Sequence, residues 1–316
     1  MLELLEQIRS EYLIRTANID EQKKIWIKLS EQFNPDLARY RTARPSTIIS
    51  RETGDLGLSV LWIVQTSLIR PILKEIMLKS ENGEELSAIL GKIDHSSLCA
   101  LAHSEDSGAP VTLTETASVF TLNGEKKFIT AGKNSGLMIA TCRIPGEEKI
   151  SHIALINSAA LPENALPDLN LEIMRSVSHT KLVLNNIEIP AYQVPRLDGS
   201  VIRRMMKKYG ILERAMILEA FLSFMLYAER ILNKAGADIS AYDEISSLLE
   251  QQSASVTKQI DEAVYTDRID TPNIPLQKVF PLVDEFKKAY IKSEMTIPED
   301  EKIKLKDLFL FDSLKG

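Results

Sequence analysis

Cysteine is scarce in this 316-residue chain. There are two, Cys99 and Cys142, each within an apolar, strand-like run where a reduced thiol acts as a small hydrophobe. A cytoplasmic compartment is the matching expectation. Excess positive charge is missing as well: 38 basic residues stand against 44 acidic ones, for a formal net charge of -6, so nothing electrostatic draws the chain to nucleic acid. One basic cluster, Arg203, Arg204, Lys207 and Lys208, reads as a solvated helix face, with an anionic ligand as the alternative. The apolar segment 211–232 is interrupted by Glu213, Arg214, Glu219, Glu229 and Arg230, too many charges for a membrane span. The first eighteen residues mix Glu3, Glu6 and Arg9 into an amphipathic helical pattern, without the apolar stretch of an export signal. His95, His103, His152 and His179 lack ligand spacing and have no cysteine pair beside them, which argues against a metal.

What is present is ordinary globular composition, 44% hydrophobic and 26% charged, at a length that implies two or three domains. Periodicity divides the chain into three. The region 1–96 reads as helical: "EQKKIWIKLSEQF" is amphipathic, and "GDLGLSVLWIVQTSLI" is apolar nearly all round, as in a buried helix that Pro71 then breaks or kinks. The region 97–195 changes to short β-branched runs with turn residues between them. Beyond Pro195 the pattern is helical again through 196–316, with "GILERAMILEAFLSFMLYAERIL" as its most buried helix. The fold class is therefore α+β and multidomain: helices, sheet, helices. Within the sheet region "SVFTLNGEKKFIT" reads as strand, turn, strand, with Asn123 and Gly124 supplying the positive φ of a tight hairpin. On geometry alone Phe128 is a core aromatic and Thr130 a strand residue.

The ordered series "GDLGLSV", "CALAHSEDSGA", "LNGEKKFITAG", "SVSHTKLVLNNIEIP" and "LERAMILEAF" followed by "YAER", over roughly residues 50 to 230, resembles the acyl-CoA dehydrogenase family. The resemblance implies an N-terminal helical domain, a middle β-barrel and a C-terminal helical domain, with FAD between barrel and C-terminal helices. It assigns Phe128, Ile129 and Thr130 to the flavin wall, since a flat apolar cofactor with a polar rim needs an aromatic contact and a few aimed donors. It places His103 or Ser104 at the flavin-facing corner, and Ser107 and Gly108 in a small-residue turn with free backbone donors. Arg175 falls near the ligand cleft, or else on a surface hairpin. The implied partners are an acyl-CoA or other acyl thioester, a second copy of the chain in a homodimer or higher oligomer, and an electron-transfer flavoprotein, in the setting of fatty acid metabolism.

The reaction of this family needs one carboxylate base facing the substrate from the side opposite the flavin. The Tyr-Glu-Gly-Thr loop that carries it in most members is absent from this sequence, as is the Gln-x-x-Gly-Gly segment that holds a neighbour's FAD. A minority branch carries its base in the first buried helix of the C-terminal domain, directly before an Arg. Here that place reads Leu212-Glu213-Arg214. Glu213 is then either a dipole-favoured residue at a helix start or a desolvated base. Arg230 matches the family's FAD-binding Arg, but the Phe-Gly that follows it there does not appear. FAD binding is accordingly weakened, made through different contacts, or lost. Three readings stay open: α,β-dehydrogenation of an acyl thioester with Glu213 as base, a non-catalytic relative serving as a binding partner or subunit, and a flavin oxidase or monooxygenase on the same scaffold.

Overall fold

The structure, a computed structural model, describes residues 19–35, 44–105, 109–116, 119–266, 269 and 276–313. The expected N-terminal amphipathic helix, together with Ser107 and Gly108, lies outside the described residues. Among these residues four helices come first: α1 (Ile19–Phe33), α2 (Pro45–Thr53), α3 (Leu56–Lys79) and α4 (Gly83–Leu90). Six strands follow: β1 (Cys99–Ala102), β2 (Thr112–Thr116), β3 (Val119–Thr130), β4 (Leu137–Cys142), β5 (His152–Asn157) and β6 (His179–Pro190). The remainder is helical: α5 (Gly199–Lys234), α6 (Tyr242–Tyr265), α7 (Leu276–Ser293), α8 (Glu299–Leu305) and α9 (Leu310–Ser313).

Helix α3 does not break at Pro71. The strain of the proline is absorbed one turn earlier, where Val64–Ile69 widens into a π-helical turn. A π turn carries an extra residue, so the carbonyls facing the pyrrolidine ring are displaced and no longer clash with it. The hydroxyls of Thr66 and Ser67 donate to the carbonyls of Trp62 and Ile63, at 2.8 and 2.5 Å, and satisfy part of the loosened ladder. This helix has the length and composition of a bilayer span, yet 89% of its most apolar window is buried inside the protein. Gln65 ties it to the sheet: its amide donates to the Cys99 carbonyl at 2.7 Å and accepts from the Cys99 N–H at 3.2 Å.

The strands form two three-stranded sheets, ordered β1-β4-β5 and β2-β3-β6. The expected single barrel is thus two sheets stitched at two seams. At one seam Leu113 N–H donates to the Arg143 carbonyl at 2.8 Å, and Arg143 N–H to the Val111 carbonyl at 3.1 Å. At the other, Lys127 N–H donates to the Ser104 carbonyl at 2.9 Å and Glu125 N–H to the Ala109 carbonyl at 3.0 Å. β4 is buried along its whole length because its two faces meet different partners, in the period of two that a strand imposes. Met138 and Ala140 face the core between the sheets with Leu122, Ile129 and Leu182, while Leu137 and Ile139 join the helical core around α3 and α5. Both cysteines are free and buried, and burial pushes the Cys99 and Cys142 thiols up to about 11 and about 12.

Asn123-Gly124 is not a hairpin turn. β3 runs straight through it, and the register shift between Leu122 and Gly124 places the extra residue on β6, where Asn185 and Asn186 face Asn123 alone and Asn186 takes φ 52. Gly124 has φ 122, and a Cβ there would stand 2.3 Å from the Pro110 carbonyl oxygen. A glycine of positive φ serves a strand that passes close to another backbone as well as a tight turn, so the dipeptide alone does not separate the two.

Helix α5 runs through the centre, packed against α2, α3 and α6, with Phe221, Leu222, Phe224 and Met225 fully enclosed. Glu219 lies among them and is matched by Arg44 at the start of α2, Nε to Oε2 at 2.6 Å, both side chains 1% exposed. Arg44 also donates to the Ser253 carbonyl at 2.7 Å, and the Ser253 hydroxyl donates to Glu219 Oε1 at 2.5 Å, which brings α6 into the same knot. Arg44→Met strands the Glu219 carboxylate in the core and is expected to cost about 3–5 kcal/mol, since a buried ion that loses its partner is not rehydrated. Arg44→Met combined with Glu219→Leu should recover most of that loss. Urea unfolding of the two variants checks this; equal stability of the single and double variants would refute it.

Candidate functional site

A cavity of about 400 Å³ opens between the sheets and the central helices. One wall belongs to α5, where Arg203, Met206 and Lys207, Gly210, and Glu213 and Arg214 follow one another at intervals of three and four and so share a helix face. Gly210 leaves that face flat: a Cβ there would meet only Arg214 Nη1, at 3.6 Å. Val64 and Leu68, from the π turn of α3, form the apolar floor. His103 and Ser104, just past β1, and Phe128 and Thr130 from β3 close the opposite side.

Phe128 reaches the cavity through a second bulge. The β3–β6 register shifts between Lys126 and Ile129, and Phe128 takes φ 58. A bulky residue in the left-handed region is strained and persists only where its surroundings impose it. The consequence is a change of face: the Phe128 side chain is 37% exposed and lines the cavity, while Ile129 beside it is fully buried in the core between the sheets. Among the described residues no hydrogen bond occupies the Thr130 hydroxyl.

Glu213 lies deep on the helix wall, and the exposure it keeps is toward the cavity it lines. Burial pushes its carboxyl up to about 7, against a smaller opposing pull from Arg214. Helix α5 starts at Gly199, so Glu213 sits far inside it, and the reading of Glu213 as a helix-start residue falls. His103 moves the opposite way: burial, then the charges of Lys126 and Arg214, lower it to about 4, so it is neutral near pH 7.

The structure brings together Phe128, Thr130, His103, Ser104 and Glu213. Arg230 is elsewhere: it donates to the Arg51 carbonyl and lies over the Tyr227 ring. Arg175 lines a separate cavity of about 350 Å³ with Asp168, Ser178 and His179. The basic cluster divides. Arg203 and Lys207 face the site, whereas Lys208 is buried and donates to Glu75 at 2.9 Å. Burial alone would raise Glu75, but hydrogen bonds from Lys208, Lys79 and Tyr209 outweigh it and hold the carboxyl at about 2. Sequence reasoning missed Val64, Leu68 and Met206 as lining residues. For Met206 the signal was there, since it lies seven residues, two helical turns, before Glu213.

The lining fits a flavin ring system: an aromatic face displaced from the core, a free hydroxyl beside it, and a volume in the range of a site for one small flat ligand. An entire dinucleotide exceeds that volume, so its nucleotide end would lie outside this cavity.

No family model matches the sequence, and no curated protein is similar to it at a significant level. Solved structures do match. Butyryl-CoA dehydrogenase from Megasphaera elsdenii superposes with a TM-score of 0.64 at 13% identity, covering 98% of this chain and 91% of that one. PigA with FAD and proline gives 0.65 at 13%, covering 96% and 86%. KijD3, in complex with FMN and a dTDP-linked amino-keto sugar, gives 0.62 at 14%, covering 97% and 81%. The chain has the acyl-CoA dehydrogenase fold.

The raised carboxyl has a measurable consequence. Folded Glu213 keeps its proton up to about pH 7, whereas the unfolded chain releases it near 4.5. Between those values the folded state holds the extra proton, so this group's contribution to stability falls as pH rises and levels off above 7. Glu213→Gln should therefore match wild type below pH 4.5 and exceed it at pH 8 by on the order of 1–3 kcal/mol, the upper end being discounted for the open cavity. Asp307, which burial pushes up to about 8, is common to both proteins and cancels. Urea midpoints across this pH range test the point, and a pH-independent difference would contradict it.

Proposed function

We propose that this chain, with its acyl-CoA dehydrogenase fold, is a flavin-dependent oxidoreductase in which Glu213 removes a proton from the carbon beside a carbonyl, the substrate being an acyl thioester. The observation that carries this reading is the meeting of Glu213 and Phe128 in one cavity, the first holding its proton to about pH 7. A base works best when its pKa lies near the working pH, because it is then both available and strong enough to take the proton. A flavin, when bound, supplies a two-electron acceptor; the chain's residues do the rest. Phe128 offers a ring face and Thr130 a free hydroxyl to position a flat polar-rimmed ligand. Val64, Leu68 and Met206 exclude water from the apolar floor, which is what lifts the Glu213 carboxyl. At the rim Lys207 and Arg214 make no ion pair among the described residues, and with Arg203 they suit the anionic portion of a carrier thioester.

A second reading, oxidation of a small amine-bearing ligand, draws its support from the similar structures that hold proline or an amino sugar. Homo-oligomerisation, an electron-transfer partner and a cytoplasmic location belong to the same proposal.

The test has two stages. FAD should raise the thermal midpoint of wild type, as any ligand specific to the folded state does, and Phe128→Ala should abolish that rise. Anaerobic addition of straight and branched acyl-CoAs should then bleach the flavin in wild type, while Glu213→Gln keeps FAD and loses about 10²–10⁴ in bleaching rate. No thermal shift with FAD favours a non-catalytic binding protein. Equal bleaching by wild type and Glu213→Gln removes Glu213 as the base.

A further inference from the structure

Lys126 is a lysine without solvent, its side chain 0% exposed. Its ammonium donates three hydrogen bonds: to Glu105 Oε2 at 2.6 Å, to the His103 carbonyl at 3.2 Å and to Thr141 Oγ1 at 3.2 Å. An ammonium has three protons and no acceptor, so the Thr141 oxygen is on the receiving side of this contact. Among the described residues the hydroxyl's own proton then has one acceptor within reach, His103 Nδ1 at 3.1 Å. In the reverse arrangement, with Nδ1–H donating, Thr141 would accept twice and its proton would be stranded at a residue that is fully buried, which is the costly case. A neutral imidazole whose Nδ1 accepts carries its proton on Nε2. That nitrogen has no partner among the described residues, and the ring lines the cavity.

We propose that Lys126 and Thr141 hold His103 as its Nε2–H tautomer, and that His103 is the donor that binds a carbonyl oxygen of the ligand in the cavity of Phe128 and Glu213. The charges around the ring agree. Lys126 on β3 and Arg214 on α5 both oppose a second proton on His103, and Glu105 is itself engaged by Lys126 and Arg143. Lys126, which burial lowers to about 8, stays the cation of the pair at neutral pH. Lys126 and Thr141 are positioning residues, acting only through the ring. The tautomer is a property of the protein alone; its use in ligand binding rests on the flavin reading above. A flavin pyrimidine and an acyl thioester both offer such a carbonyl.

Two-bond proton–nitrogen correlation spectra of histidine-labelled protein separate these points. Free wild type at pH 7 should show His103 as Nε2–H, neutral down to pH 5. Thr141→Val should lose that preference and Thr141→Ser should retain it. An Nδ1–H tautomer, a cation at pH 7, or an unchanged tautomer in Thr141→Val overturns the assignment. In the bound state, displacement of the Nε2–H signal by FAD alone identifies the flavin carbonyl. Displacement only when butyryl-CoA follows FAD identifies the thioester carbonyl. His103→Ala should weaken the binding of that ligand by about tenfold, the value of one hydrogen bond. An unmoved signal, although FAD raises the thermal midpoint, overturns the donor role. Absence of any FAD shift ends the flavin reading and the donor role together, while the tautomer still stands or falls on the free protein.

Discussion

The fold depends on one constraint: helix α5 passes through the middle of the molecule, so each charged group buried on it has to be matched by a group from another element. Glu219 is matched by Arg44 and Ser253, and Glu229 accepts from the Ala241 backbone at 3.2 Å. Each pairing draws in another part of the chain, so satisfying α5 also fixes the positions of α2 and α6. Tyr227 repeats the pattern by donating to Glu301 Oε2 at 2.5 Å while Lys304 donates to its oxygen at 3.0 Å, which ties down α8. Glu213 is the exception. Among the described residues it has no such partner; it faces the cavity, and its proton takes the place of a counter-ion.

A second local cost appears in β3. Phe128 at φ 58 and Ala131 at φ 59 are both non-glycine residues in the left-handed region, three positions apart. A regular strand would place Lys126, Phe128 and Thr130 on one face. The bulge instead leaves Lys126 buried beneath the cavity wall and turns the Phe128 ring out onto its surface. Strain of this kind is held by packing on either side, here by Ile129 in the core between the sheets and by Ala131 in the small core with Trp26 and Trp62. The π turn in α3 plays a similar part across the cavity, where it aims Val64 and Leu68 at the space that Phe128 faces. Two irregularities, one in a strand and one in a helix, thus shape the same site.

The order of helices, strands and helices was legible because apolar patterning is a local property: the short β-branched runs of the middle region and the long helical stretches on either side each show theirs within a few residues. Phe128, Thr130, His103 and Glu213 were legible as a set only through the ordered resemblance, since none of them forms a motif by spacing alone. Asn123-Gly124 reads as a turn and Pro71 as a break or kink, where the structure has a strand running through and a π turn one turn before the proline. Each has a local preference that serves more than one structure, and long-range packing chooses among them. Arg175 and Arg230 were drawn toward the ligand by the same resemblance and lie outside the cavity in the single chain.

By itself the sequence determined which segments become helix or strand, that the chain has a sizeable core, and that a few charged residues, Glu213 among them, stand within a largely apolar helix. Those properties follow from side-chain chemistry and short-range periodicity. Tertiary structure alone decided that Glu213 meets Phe128 across a cavity while Glu219, six residues on, meets Arg44. It also decided that Lys126 and Thr141 converge on one histidine. The reason is physical: a pKa, a tautomer or a cavity wall depends on the desolvation and fields made by atoms distant in sequence, and these exist only once the elements have packed.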